Sequence, residues 1–156
     1  MHLIIPMSGV GRRFCDAGYE APKPLIVVDG KPMIQHVLEL FPGAERGRVS
    51  FICNDRHLAT TPMRAVLERI CPGATIYSVP AANRMGPVHA VSLVWDQFAP
   101  DTAQDEVIVS YCDYGTDWDY AAFLRDVRGR QADGAIACYR GFHPHMLGAD
   151  NYAFVQ

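Results

Sequence analysis

The sequence predicts an α/β fold built on a mostly parallel sheet. Short apolar runs rich in β-branched residues recur along it, helical-period segments of about ten residues separate them, and Pro, Gly and Asn mark the joins. Residues 3–5, Leu-Ile-Ile, form the first buried strand, broken at once by Ser8-Gly9-Val10-Gly11-Arg12-Arg13. Residues 25–28, Leu-Ile-Val-Val, give a second β-rich run closed by Asp29-Gly30. A helix is expected over 32–41, with Met33, Val37, Leu40 and Phe41 on one face and Pro42-Gly43 as its stop. Residues 49–53 read as a strand ending at Asn54-Asp55, and 62–70 as a helix with Met63, Val66, Leu67 and Ile70 inward. Residues 75–79 continue the alternation as a strand. Residues 86–98 form one helix bearing Val88, Val91, Val94, Trp95 and Phe98, and 107–111 the clearest buried strand. A last helix covers 120–127, and 135–139 and 152–155 are strand-like.

Composition bounds the function. The 156 residues are 49% hydrophobic and 20% charged with a formal charge of −3, which describes one ordinary globular domain. The 14 Lys and Arg are spread rather than clustered, which argues against nucleic acid as a partner. No signal-like start and no run near the roughly 20 apolar residues of a bilayer span occur, so no membrane span and a cytoplasmic location are expected. The five cysteines are widely spaced with no C-x-x-C pair, and are expected to be free thiols rather than disulfides or a zinc site.

The chemistry concentrates near the start. Two glycines two residues apart let backbone N–H groups turn inward as an anion cradle, and two arginines follow. Pro22-Lys23-Pro24 then sets an ammonium between two φ-locked residues. This is neither a Walker A loop, which needs Gly-Lys-Ser/Thr, nor the dinucleotide fingerprint, since Phe14 stands where its third glycine would fall. Strand, glycine loop, guanidinium and held lysine together describe a triphosphate site. In a parallel sheet such a site belongs at the carboxyl ends of strands, near the point where strand order reverses.

The succession G-x-G-x-R-F, then P-K-P-L, then Gly30-Lys31-Pro32-Met33-Ile34, resembles the N-terminal block of the sugar-phosphate nucleotidylyltransferases, or nucleotide-sugar pyrophosphorylases. The resemblance implies a Rossmann-like three-layer sandwich of glycosyltransferase-A type. It implies an enzyme that moves NMP from a nucleoside triphosphate to a sugar phosphate or similar phosphorylated acceptor, releasing pyrophosphate, for nucleotide-sugar and surface-polysaccharide biosynthesis. By the same resemblance Arg13 and Lys23 are the catalytic cations. Met7, Ser8, Gly9, Val10, Gly11, Arg12, Asn83 and Gly86 seat the nucleotide, and Asp113 carries Mg²⁺. Nucleotidyl transfer needs positive charge over the phosphates because charge builds there in the transition state. Asp113 also follows a predicted strand, where one carboxylate with phosphate oxygens and water suits Mg²⁺.

The sequence departs from the family's pattern in three places. Arg12 stands where a small hydroxylic residue is common, and Ala81 replaces a glutamine that some relatives carry five residues before Gly86. No acid after Asp113 matches the family's second metal-binding aspartate, and Asp117 or Asp119 reads as a helix cap. His89 reads as a helix-face residue, and His143-Pro144-His145 as loop. Residues 1–156 are therefore expected to be one nucleotide-binding domain, the N-terminal portion of a longer nucleotidyltransferase domain. A non-catalytic nucleotide-binding module and a glycosyltransferase of the same core fold remain the alternatives. The base, the acceptor and any homo-oligomer stay open.

Overall fold

The structure is a computed structural model, and it describes residues 1–82, 85–102 and 105–138. Four parallel strands form the main sheet in the order β5-β4-β1-β6. The first, β1 (His2–Met7), is buried along its whole length. It pairs with β4 (Arg48–Asn54) on one edge, Leu3 opposite Val49 and Ile5 opposite Phe51. On the other edge it pairs with β6 (Val107–Val109), Leu3 opposite Ile108. Beyond β4 lies β5 (Thr75–Val79). The chain thus builds outward from β1 through β4 and β5, then returns to place β6 on β1's other side. Strand order reverses at β1.

The helices fall between the strands as the sequence predicts, with informative departures. A short helix α1 (Arg12–Asp16) follows β1. Residues 25–28 do not join the main sheet: Lys23–Leu25 form a 3-10 turn. Val27–Val28 (β2) pair only with Lys31–Pro32 (β3), as a small antiparallel hairpin. The run satisfies β propensity but is too short after the rigid Pro22 and Pro24 to reach the sheet edge, so Val27 and Val28 stay exposed. Helix α2 (Met33–Glu39) buries Ile34 and Val37 rather than Met33. Helix α4 (Met63–Ile70) buries Met63 and Leu67 as its spacing requires. Before it lies a helix absent from the sequence reading, α3 (Asp55–Thr60), with Asn54 as its N-cap.

The predicted helix 86–98 is two: α5 (Pro87–Ser92) and α6 (Trp95–Thr102). Ser92 Oγ donates back to the His89 carbonyl at 2.9 Å, a local bond that competes with the helical ladder at the break. The inward face keeps its helical spacing across the break: Ala90, Val94 and Phe98 are buried at i, i+4 and i+8, while Val88 and Trp95 are exposed. These three pack with Ile4, Ile52 and Val79 in one core cluster on one face of the sheet. Leu3, Ile5 and Phe51 alternate to the other face and are fully buried.

The run 107–111 is not the most buried strand. Among the described residues β6 is the outer strand beside β1, with Val107 41% and Val109 59% exposed. An apolar run reads the same whether a strand lies inside a sheet or at its edge, and only the pairing separates the two. Residues 135–138 form no strand, all four exposed; 152–155 and His143-Pro144-His145 lie outside the described residues.

The chain divides into two compact units, Met1–Trp118 and Asp119 onward. In the first, Trp118 closes against α2 by donating its indole N–H to the Leu40 carbonyl at 3.0 Å and packing edge-on to Phe41. The second carries α7 (Tyr120–Gly129), whose start is capped by Asp119 Oδ1 accepting from Ala122 N at 2.8 Å. All five cysteines are free thiols, with Cys53, Cys71 and Cys112 buried and Cys15 and Cys138 exposed. No helix among the described residues is long and apolar enough to cross a membrane.

Two predictions test this packing. Ile4→Ala removes a fully buried side chain at the sheet centre and should cost about 2–5 kcal/mol in chemical denaturation. Val109→Thr on exposed β6 should change stability by less than about 0.5 kcal/mol. Beside that buried–exposed contrast, the other prediction concerns pH. His2 is buried with its ring 2.7 Å from Ser50 Oγ, and burial first, then the Arg48 charge, lowers its pKa below the usual 6.5. The neutral ring is therefore favoured in the folded state. Its stabilisation is complete above pH ~6.5 and lost as the pH falls through the lowered value. His57 is lowered in the same direction, chiefly by burial. Melting temperature should fall between pH 7.5 and 5, and His2→Gln should flatten that slope.

Candidate active site

Three segments meet at the carboxyl ends of β1 and β6, where strand order reverses. The first is the loop after β1. Ser8 is buried, Gly9 and Val10 are exposed, and Gly11 turns the chain into α1 with φ +66°. A Cβ on Gly11 would lie 3.2 Å from the Lys23 Cβ, so the loop lies directly against the second segment. That segment is the 3-10 turn from Lys23, closed by Leu25 N donating to the Pro22 carbonyl at 2.8 Å. Pro22 and Pro24 are buried and Lys23 is half-buried, so the backbone is fixed from below while the ammonium stays available. The third segment, Tyr111-Cys112-Asp113, leaves β6.

Lys23 Nζ donates to Asp113 Oδ2 at 2.8 Å, joining residues 90 apart in sequence. Their side chains are 23% and 36% exposed, so the pair adds at most about 1 kcal/mol to stability. Its weight is positional. The paired cation and carboxylate both line a cavity of about 390 Å³, within the range of small-molecule sites. Met7, Ser8, Gly9, Val10 and Gly11 form one wall of it. Gly86 and Pro87 at the start of α5 form another. Gly86 has φ +91° and ψ −177°, a backbone region that is essentially glycine's alone.

Of the residues the sequence singles out, the structure therefore brings together Met7 to Gly11, Lys23, Gly86 and Asp113. Arg12 and Arg13 stand exposed on the first turn of α1, and neither lines the cavity. Asn83 lies outside the described residues. Cys112 also lines the cavity, and burial pushes its thiol up to about 11, which disfavours the thiolate at neutral pH.

Sequence reasoning passed over Asn54 and Asp55, reading them as a strand end. Asn54, 1% exposed, donates from Nδ2 to the Ser8 carbonyl at 2.9 Å and accepts His57 N on Oδ1 at 2.7 Å. Asp55 Oδ1 accepts Ala81 N at 2.9 Å. The available signal was an Asn-Asp pair at a strand's carboxyl end, a common helix-start pattern that says nothing of which distant loops it holds.

The family description "MobA-like NTP transferase domain" matches residues 3–155. The chain belongs to that family. Solved structures of similar fold include the nucleoside-diphosphate-sugar pyrophosphorylase from Vibrio cholerae RC9, 20% identical with a TM-score of 0.57 over 78% of this chain and 52% of that one. They include the UTP-bound UGPase from Acinetobacter baumannii, 19% identical with a TM-score of 0.57 over 84% and 53%. HddC from Yersinia pseudotuberculosis complexed with GMP-PN is 16% identical with a TM-score of 0.57 over 81% and 53%. This chain thus spans about half the length of those structures. No curated protein matches it. The fold is the Rossmann-like nucleotide-diphospho-sugar transferase type, with a parallel sheet and flanking helices.

Gly86→Ala tests the cavity wall. It forces a Cβ into a conformation L residues avoid, at a cost of about 1–3 kcal/mol. Thermal unfolding should show that loss, although nothing lies within 4 Å of the added methyl.

Proposed function

We propose that this chain is the nucleotide-binding part of a Mg²⁺-dependent nucleotidyltransferase acting on a sugar phosphate or similar phosphorylated acceptor. In this reading it is the N-terminal portion of a longer transferase domain working in the cytoplasm on nucleotide-sugar and surface-polysaccharide precursors. The observation that carries the reading is the Lys23–Asp113 pair under the glycine loop, at the strand-order reversal of a nucleotidyltransferase fold.

The loop 8–11 offers backbone N–H groups to the β- and γ-phosphates, as an anion cradle does. Lys23 leaves Asp113 for the phosphates and holds the reacting α-phosphate and the acceptor phosphate in line. An acceptor oxygen attacks the α-phosphorus, its bond forming as the α–β bridging bond breaks, and pyrophosphate carries off the electron pair. Arg13 enters as the guanidinium over the leaving pyrophosphate. Its exposed place on α1 means that its side chain must swing onto the bound nucleotide.

The donor set fits Mg²⁺. Asp113 is a partly exposed carboxylate facing the cavity, and Mg²⁺ takes one or two carboxylates with phosphate oxygens and waters completing its shell. Among the described residues no group of three or more His, Cys, Asp or Glu gathers for a metal, so the nucleotide itself would supply ligands. When bound, the ion would neutralise charge developing on the phosphates.

Pyrophosphate release measured over a panel of triphosphates and sugar phosphates tests the reading. The productive triphosphate should raise the melting temperature, and more so with Mg²⁺. Lys23→Ala should lower kcat/KM by about 100-fold or more. Asp113→Asn should abolish the extra stabilisation by Mg²⁺ while leaving the metal-free shift in place. A chain that no triphosphate stabilises would defeat the reading.

A further inference from the structure

We infer that the Asn54-Asp55 pair at the carboxyl end of β4 is a double clamp that positions both nucleotide-facing walls of the cavity. The inference rests on the nucleotidyl-transfer reading of that cavity and assigns positioning roles to two residues that touch no substrate themselves.

The geometry separates the two arms. Asn54 is a buried carboxamide whose two ends are both committed. Its Oδ1 accepts His57 N, fixing the start of α3, and its Nδ2 reaches 46 residues back to the Ser8 carbonyl. The same Nδ2 lies 3.1 Å from His57 Nδ1, which accepts when the neutral ring, favoured by burial and the neighbouring Arg56, carries its proton on Nε2. Donor and acceptor ends therefore agree on one orientation of the amide. Asp55 points the other way, its Oδ1 accepting Arg56 N at 2.7 Å and Ala81 N at 2.9 Å, 26 residues on. Ser8 opens the glycine loop, and Ala81 lies on the segment between β5 and Gly86.

The loop needs such a hold. A Cβ at Gly9 would meet nothing within 4 Å, and fixing one backbone residue costs roughly 1–2 kcal/mol of entropy. A buried bond to the Ser8 carbonyl meets part of that cost before the ligand arrives, which is preorganisation of the phosphate cradle. Asp55 does the same for Ala81, five residues before Gly86, with an exposed side chain that contributes little to the core.

Asn54→Asp keeps the oxygen that caps α3 and turns a second oxygen toward the Ser8 carbonyl. Amide hydrogen exchange should then speed at least about fivefold in residues 9–11 and stay unchanged at Ile5 and Phe51. The Kd of the triphosphate that most stabilises the wild-type chain should rise about tenfold, as one lost hydrogen bond and a loosened loop allow. Asp55→Ala should speed exchange at Ala81 and Gly86 and weaken the same triphosphate, while Asp55→Asn, which retains an acceptor, restores both. Exchange that rises uniformly through β1 and β4 in Asn54→Asp, or a variant that does not fold, makes Asn54 a fold residue only and overturns its arm. Asp55→Ala matching wild type in exchange and affinity overturns the other. If no triphosphate binds the wild-type chain, the nucleotidyl-transfer reading fails, and the exchange results still decide whether the clamp exists.

Discussion

β1 has almost no free side. All six residues are buried, β4 pairs with the whole length of one edge and β6 with His2–Ile4 of the other, so the strand offers almost no exposed polar surface. Polar function must therefore appear where the strand ends, and it does so at Ser8, within one residue of the last buried apolar side chain, Met7. The same constraint fixes where partners can come from. Only segments leaving the carboxyl ends of β6 and β4, or packed beside them, can reach that point. The site draws on Asp113 from the first, Asn54 from the second and Lys23 from the buttressed turn between.

The Lys23–Asp113 contact is a weak bond in a useful place. An ion pair this exposed contributes little to folding, yet each partner holds the other's charge within the cavity. Under the proposed function, a polyanion arriving with a divalent cation would offer both partners a replacement, phosphate for the ammonium and metal for the carboxylate. The pair can thus separate without stranding either charge. The Pro22 and Pro24 rings, both buried, confine that exchange to the lysine side chain rather than its backbone.

Much of this was legible in the sequence because it is local. The glycine loop, the proline-flanked lysine and the acid after residues 107–111 are short-range patterns, and their convergence follows from the rule that parallel sheets present ligands at strand ends. What escaped was set by distant partners. Residues 25–28 have the composition of a strand, but Leu25 closes a 3-10 turn and Val27–Val28 pair in a hairpin, since composition does not fix the pairing partner. The valines of 86–98 mark a helical period that survives in the buried face of Ala90, Val94 and Phe98, but they do not mark the break after Ser92. Asn54 looked like a strand terminator since its hydrogen-bond partner is 46 residues away. Arg13, prominent in the motif, stands exposed outside the cavity lining, since the left-handed turn at Gly11 starts a helix that carries it away.

The outer position of β6 has a consequence for handling this polypeptide. Among the described residues its far edge has no strand beside it, and unpaired peptide groups between exposed valines are an adhesive template for any extended segment. In preparations of this chain alone, that edge is one along which two copies can pair. A lysine introduced at Val107 or Val109 would be the simplest guard against precipitation.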